Sequence, residues 1–129
     1  MRRGRDFSTI PMPELRLYHS RRKARRFIER HGVEFKCIDG ADAQTWFFAD
    51  DTGRYAVVLM DAGTGREYWE DMGIIAHEAT HIMRFALSDI GEEEPGEEEM
   101  CYAVQAVAMR LCEGHFAWKE RKMRERLES

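Results

Sequence analysis

The sequence predicts an α+β fold, because three patterns follow one another along the chain. Apolar residues recur at helical spacing first, alternating β-rich segments come next, and helical spacing then returns towards the C-terminus. At 129 residues the chain is long enough to bury one core and shorter than chains that usually divide into domains. We therefore expect a flexible basic lead-in over residues 1–12 and a single domain over residues 13–129.

The first helix is predicted from Glu14 to about Arg30, after the Pro11-Met12-Pro13 segment. Its apolar residues fall on one stripe at roughly helical spacing. These residues are Leu17, Ala24, Phe27 and Ile28. The pair His31-Gly32 is typical of a helix end.

The middle of the chain predicts a small antiparallel sheet. Residues 33–39 alternate apolar and polar side chains, as a half-buried strand does, and Asp39-Gly40 indicates a turn. Two further β-rich runs, residues 45–49 and 54–60, are joined by Asp50-Asp51-Thr52-Gly53, which predicts a hairpin. Aromatic residues in this hairpin are expected to form core rather than a ligand platform.

Helices are predicted for the rest of the chain. One runs from about Glu67 to Ser88, an acidic loop follows over residues 91–96, and the next helix runs from Glu97 to about Cys112. A break at Gly114 separates it from a last basic helix, His115 to Leu127.

Composition and charge narrow the class of protein. The chain has no apolar run of 18 residues and no secretory signal, which favours a soluble, cytoplasmic protein without a membrane partner. Three cysteines without a Cys-x-x-Cys pair are expected to be free thiols. The net charge of -4 hides an excess of basic residues before position 31 and of acidic residues after it. The basic segment could contact nucleic acid, or it could be a solvated face partly neutralised by the acidic loop.

The segment His77-Glu78-Ala79-Thr80-His81 carries the clearest chemical signal. Helical positions i and i+4 lie one turn apart on one face, so His77 and His81 can direct ring nitrogens at a single zinc ion. Glu78 follows the first histidine and could act as the general base. The alternative is that two core or surface histidines have this spacing by coincidence.

A catalytic zinc usually has three protein ligands. Arg84, Leu87 and Ser88 exclude the metzincin pattern, in which a third histidine follows on the same segment. A carboxylate from the next helix is the remaining option, and the candidates are Glu92, Glu93, Glu94, Glu97, Glu98 and Glu99. Glu98 is favoured because Tyr102 and Gln105 continue its side of the helix, although any of these acids could be a solvated helix-start residue.

The HEATH segment followed by a helix with a glutamate ligand resembles the gluzincin class of zinc metallopeptidases in a reduced form. Residues 43–108 look more closely like a family of small phage and prophage proteins, in "TWFFADDTGRYAVVLM", "GIIAHEATHIM" and "IGEEEPGEEEMCYAVQAVA". This resemblance implies a minimal zincin-like domain with zinc bound by His77, His81 and Glu98 and with Glu78 as catalytic base. Met100 stands where an acidic residue is common in that family. The methionine therefore leaves one candidate fewer beside Glu98 for the role of third zinc ligand.

The function expected from this resemblance is zinc-dependent peptide hydrolysis, with a protein or peptide substrate. Tyr102 or His115 could stabilise the oxyanion, although Tyr102 stands where the thermolysin-type arrangement has an aspartate. One alternative is an inactive phage protein of the same fold that acts in assembly or protein interaction. A second alternative is a nucleic-acid-associated protease similar to the SprT-like proteases. The oligomeric state is left open.

Overall fold

The computed structural model describes residues 12–61, 66–89 and 96–128, except for the side chains of Asp89 and Glu98. The elements are β1 (Glu14–Tyr18), α1 (Arg21–Arg30), β2 (Ala43–Asp50), β3 (Gly53–Met60), α2 (Tyr68–Asp89) and α3 (Glu97–Glu128). The α+β class is therefore confirmed. The lead-in up to residue 11 and most of the acidic loop, residues 91–95, lie outside the described residues. No helix in the described ranges is both long and apolar enough to cross a membrane.

The three strands form one mixed sheet in the order β1-β3-β2. β2 and β3 are the predicted hairpin and pair antiparallel, with Asp50 opposite Gly53 at the turn. β1 pairs with β3 in parallel, so that Leu15 lies beside Ala56 and Leu17 beside Val58. The expectation of a purely antiparallel sheet is therefore wrong at β1.

The predicted first helix is wrong before residue 20, where the chain forms β1 instead. Leu15 and Leu17 alternate with charged residues, and both pack on the core. This is the pattern of a strand, in which every second side chain faces the same side of the sheet. The Ser20 hydroxyl accepts a hydrogen bond from the backbone N–H of Lys23, which makes Ser20 the N-cap of α1. The helix end is as predicted, because Gly32 follows it at a φ of +76°.

The strand predicted over residues 33–39 is also wrong. Phe35 is half-buried and stacks on Trp46 with 5.0 Å between ring centroids. The backbone, however, joins no ladder in the described sheet. Instead the side-chain amide of Gln44 accepts from the N–H of Ile38 and donates to the carbonyl of Lys36. Side-chain packing therefore accounts for the alternation without a paired strand.

β3 lies at the centre of the core because helices cover both faces of the sheet. Tyr55 and Val57 pack against Phe27 and Ile28 of α1 on one face. On the other face, buried residues of β3, α2 and α3 form a single cluster. These residues are Ala56, Val58, Met60, Ile75, Ala79, Ile82, Met83, Leu87, Ala103, Val107 and Leu111.

α3 is one helix of 32 residues, so the predicted break at Gly114 is wrong. A Cβ atom at Gly114 would lie 3.1 Å from Cδ2 of Leu17 on β1. The glycine therefore allows β1 and α3 to approach closely while the helix continues. α2 is present as predicted and carries the histidine pair.

Candidate metal centre

His77 and His81 lie on the exposed face of α2, and their rings converge. The two Nε2 atoms are 3.1 Å apart, and the rings stand at 76° to each other. Two nitrogens bound to one tetrahedral zinc at about 2.0–2.1 Å are separated by about 3.3 Å. The helix therefore holds the two imidazoles in an arrangement that fits two zinc ligands.

The space between the two nitrogens can hold either one ring proton or a metal ion. A neutral imidazole has one ring nitrogen with a free lone pair and one that carries a proton. Two Nε2 atoms at hydrogen-bond distance need either a proton or a metal ion between them. His77 has 69% of its side chain exposed, so an ion can reach the pair from solvent.

Glu78 is turned towards the sheet and is only 5% exposed. Its Oε1 accepts a 2.6 Å hydrogen bond from the Thr45 hydroxyl on β2. Its Oε2 lies 4.0 Å from Nε2 of His77. The carboxylate is thus held by one oxygen and presents the other towards the histidines, which is the placement that a general base beside a metal site requires.

A groove of about 510 Å³ opens beside His77 and Glu78. Asp42, Ala43 and Ile74 contribute to its walls, so it lies between the start of β2 and the middle of α2. Both His77 and Glu78 are therefore accessible from this groove.

The predicted third ligand is only partly described. Glu98 is the second residue of α3, and its side chain lies outside the described part of the structure. Glu97 and Glu99 are exposed, and Tyr102 is half-buried on the same helix. Among the side chains that are described, no three metal-binding residues form a group that could hold an ion. What the described side chains show is a pair of converging histidines, His77 and His81, with the Glu78 carboxylate beside His77.

His115 does not fit its expected role as an oxyanion donor. It is fully buried, its Nδ1 lies 2.8 Å from Nε2 of His19, and its Nε2 lies 2.9 Å from Oδ2 of Asp71. Both ring nitrogens are therefore engaged inside the protein and cannot donate to a substrate.

Sequence reasoning missed the buried polar network around Asp71. Arg66 Nε and Lys119 Nζ each lie 2.6 Å from a different carboxylate oxygen of this fully buried residue. Burial raises the pKa of Asp71, but hydrogen bonds from Lys119, Arg66 and His115 outweigh it and hold that pKa well below 3.8. Asp71 lies one helical turn before the buried Ile75, and His115 lies one turn after the buried Leu111. A polar residue that continues a buried apolar stripe was therefore the feature of the sequence that could have revealed this network.

The carboxylate also determines the direction of one of these hydrogen bonds. Ionised Asp71 only accepts, so Nε2–H of His115 donates to it, while Nδ1 of His115 shares a 2.8 Å hydrogen bond with Nε2 of His19. His19 stacks on Trp118 with 3.9 Å between centroids. Burial, followed by the charge of His115, lowers the pKa of His19 to about 4.

Comparisons with protein-family models, curated proteins and solved structures found no match to this chain.

Proposed function

We propose that the protein is a zinc-dependent peptidase with a minimal zincin-like fold. The observation that carries the proposal is the convergence of the two Nε2 atoms at 3.1 Å, with Oε2 of Glu78 4.0 Å from one of them. In this proposal His77, His81 and Glu98 hold the metal. Zinc bound there would supply Lewis acidity, which polarises a carbonyl group and lowers the pKa of water.

Glu78 has the role of general base and general acid in this proposal. Its Oε2 takes a proton from the attacking water while Thr45 holds Oε1 in place. The same oxygen then gives that proton to the leaving amine. Tyr102 on α3 is proposed to stabilise the oxyanion.

Metal binding is tested first, without reference to activity. We expect the metal-free protein to bind about one equivalent of zinc in a calorimetric titration. His77→Ala and His81→Ala should each abolish this binding. Lys36→Ala, at an exposed residue that is distant in sequence from both histidines, should retain it. Failure of the wild-type protein to bind zinc would refute the proposal.

Hydrolysis is tested separately with Glu78→Gln. This variant keeps the shape of the side chain and should bind zinc normally while losing cleavage of a peptide library. Glu113→Gln, which removes an exposed carboxylate from α3, should keep both properties. A wild-type protein that binds zinc and cleaves nothing would favour the assembly protein of the same fold.

A further inference from the structure

We propose that a groove between α1 and α3 binds single-stranded nucleic acid, an interaction separate from the zinc site. The groove encloses about 630 Å³. Three cationic side chains line it, Lys23 from α1 and Arg121 and Lys122 from α3, together with the aromatic residues Tyr18 and Trp118. Among the described residues that line it there is no carboxylate.

The cations of this groove are little neutralised within the described residues. Lys122 approaches Glu125 at 3.4 Å, and both side chains are at least half exposed, so this pair contributes little. Lys23 and Arg121 have no carboxylate within ion-pair distance in the described ranges. Three cations in one groove repel each other, and a bound polyanion would remove that repulsion.

The positive surface extends beyond the groove, which favours a polymer over a small anion. Arg22 and Arg26 of α1 lie beside Lys23 on the helix surface, are exposed and have no ion-pair partner among the described side chains. A chain of phosphates can contact the groove and this helix face at the same time, and each contact releases counterions.

The aromatic wall favours nucleic acid over other polyanions. Trp118 is held by stacking on His19 at an interplanar angle of 7°. His19 is fixed in turn by its hydrogen bond to the buried His115. A rigid aromatic surface beside cations is the combination that binds the bases and phosphates of a single strand. An acidic peptide would use the cations alone.

The test uses the full-length protein and a fluorescent 20-nucleotide oligo(dT), with binding followed by anisotropy at several salt concentrations. We expect micromolar binding that weakens steeply with salt. Lys23→Gln combined with Arg121→Gln should weaken binding at least tenfold. The same pair should reduce the slope of log K against log salt by about 1.4, because each single-strand phosphate contact contributes about 0.7.

The matched control removes one lysine and one arginine elsewhere, in Lys36→Gln combined with Arg110→Gln, both at exposed positions. This control should bind within twofold of wild type. Equal weakening by the two double variants would show a general charge effect and overturn the proposal. Equal affinity for a 20-base-pair duplex, for poly-glutamate or for phosphatidylserine vesicles would also overturn it. The zinc titration is independent, so either proposal can fail alone.

Discussion

The Thr45 hydroxyl donates a 2.6 Å hydrogen bond to Oε1 of Glu78 and so joins β2 to α2 at the candidate site. The two residues are 33 positions apart in sequence. Because the carboxylate is only 5% exposed, this contact satisfies an oxygen that water would otherwise have to reach. It also determines which oxygen faces His77.

Under the proposed mechanism, Thr45→Val should impair hydrolysis without affecting metal binding. Valine has nearly the same shape but no hydroxyl, so Glu78 loses its fixed orientation. We expect kcat to fall by about 10–100-fold, the effect of misplacing a reacting group. Zinc affinity and KM should stay close to wild type. Steady-state kinetics and a zinc titration measure both effects.

Thr45→Ser is the matched variant, because it restores the donor and removes only a methyl group. It should recover most of kcat. If both variants lost activity equally, packing at position 45 rather than the hydrogen bond would be responsible, and the positioning role would be excluded.

Asp71 should be important for stability, because it is the buried carboxylate that contacts both Arg66 and Lys119. Asp71→Asn removes the carboxylate partner of Lys119 and leaves Arg66 only the exposed Asp42, at 3.7 Å. Breaking a buried pair in this way costs about 3–5 kcal/mol. We expect a loss of that order in the free energy of unfolding, measured by urea denaturation. Glu113→Gln, at an exposed position of α3, should change it by less than about 0.5 kcal/mol.

His19 should make the protein less stable in mild acid. Its pKa is about 4 in the folded protein, against 6.5 for the free side chain. Between these values the unfolded chain binds a proton that the folded protein does not, so the free energy of unfolding falls as the pH is lowered from 6.5 to 4. Burial is the main cause; the charges of His115, Arg121 and Arg66 also lower this pKa, while Asp71 raises it.

The variant His19→Gln tests this dependence, since the glutamine amide can still form a hydrogen bond with His115 but does not titrate. Urea denaturation at pH 7.5 and pH 4.5 should show a smaller difference for His19→Gln than for wild type. Identical differences in the two proteins would assign the acid sensitivity to other groups. Asp71 also lowers the free energy of unfolding as the pH falls, but at lower pH. Its stabilising contribution is complete above pH 3.8, the ordinary pKa of the carboxyl group, and is lost only below that pH.

The elements predicted correctly depend on local sequence patterns. The hairpin follows from two β-rich runs around a short turn, and α2 follows from apolar residues every three or four positions. β1 was missed because its parallel partner β3 lies about 40 residues away, and Leu17 fits a helical stripe as well as a strand. A short segment does not show by itself which partner it will find.

The same distinction applies to the sites. The convergence of His77 and His81 is local to one turn of helix, so their spacing predicted it. The contacts of Asp71 with His115 and of Thr45 with Glu78 join residues 44 and 33 positions apart, and only the packing of α2 against α3 and β2 creates them. Sequence therefore predicts candidate ligands better than the groups that orient them.

The identity of the third ligand is the last prediction. If Glu98 binds zinc with His77 and His81, Glu98→Gln should remove an anionic ligand and weaken zinc binding by more than about 100-fold. Loss of an outer-shell contact alone costs about 10–100-fold. At a zinc concentration of 100 times the wild-type Kd, the metal should stabilise the wild-type protein by about 2.7 kcal/mol. In Glu98→Gln the same zinc concentration should add no more than about 0.4 kcal/mol.

Glu97→Gln and Glu99→Gln are the matched controls, because both glutamates are exposed in the same first turn of α3. Each should keep the full stabilisation by zinc, which thermal or urea denaturation with and without zinc measures directly. Loss of the effect in one of these controls instead would assign the ligand to that residue. If all three variants lost the same part of the stabilisation by zinc, the three glutamates would attract the ion only through their combined negative charge. A direct ligand would instead show its effect in one variant.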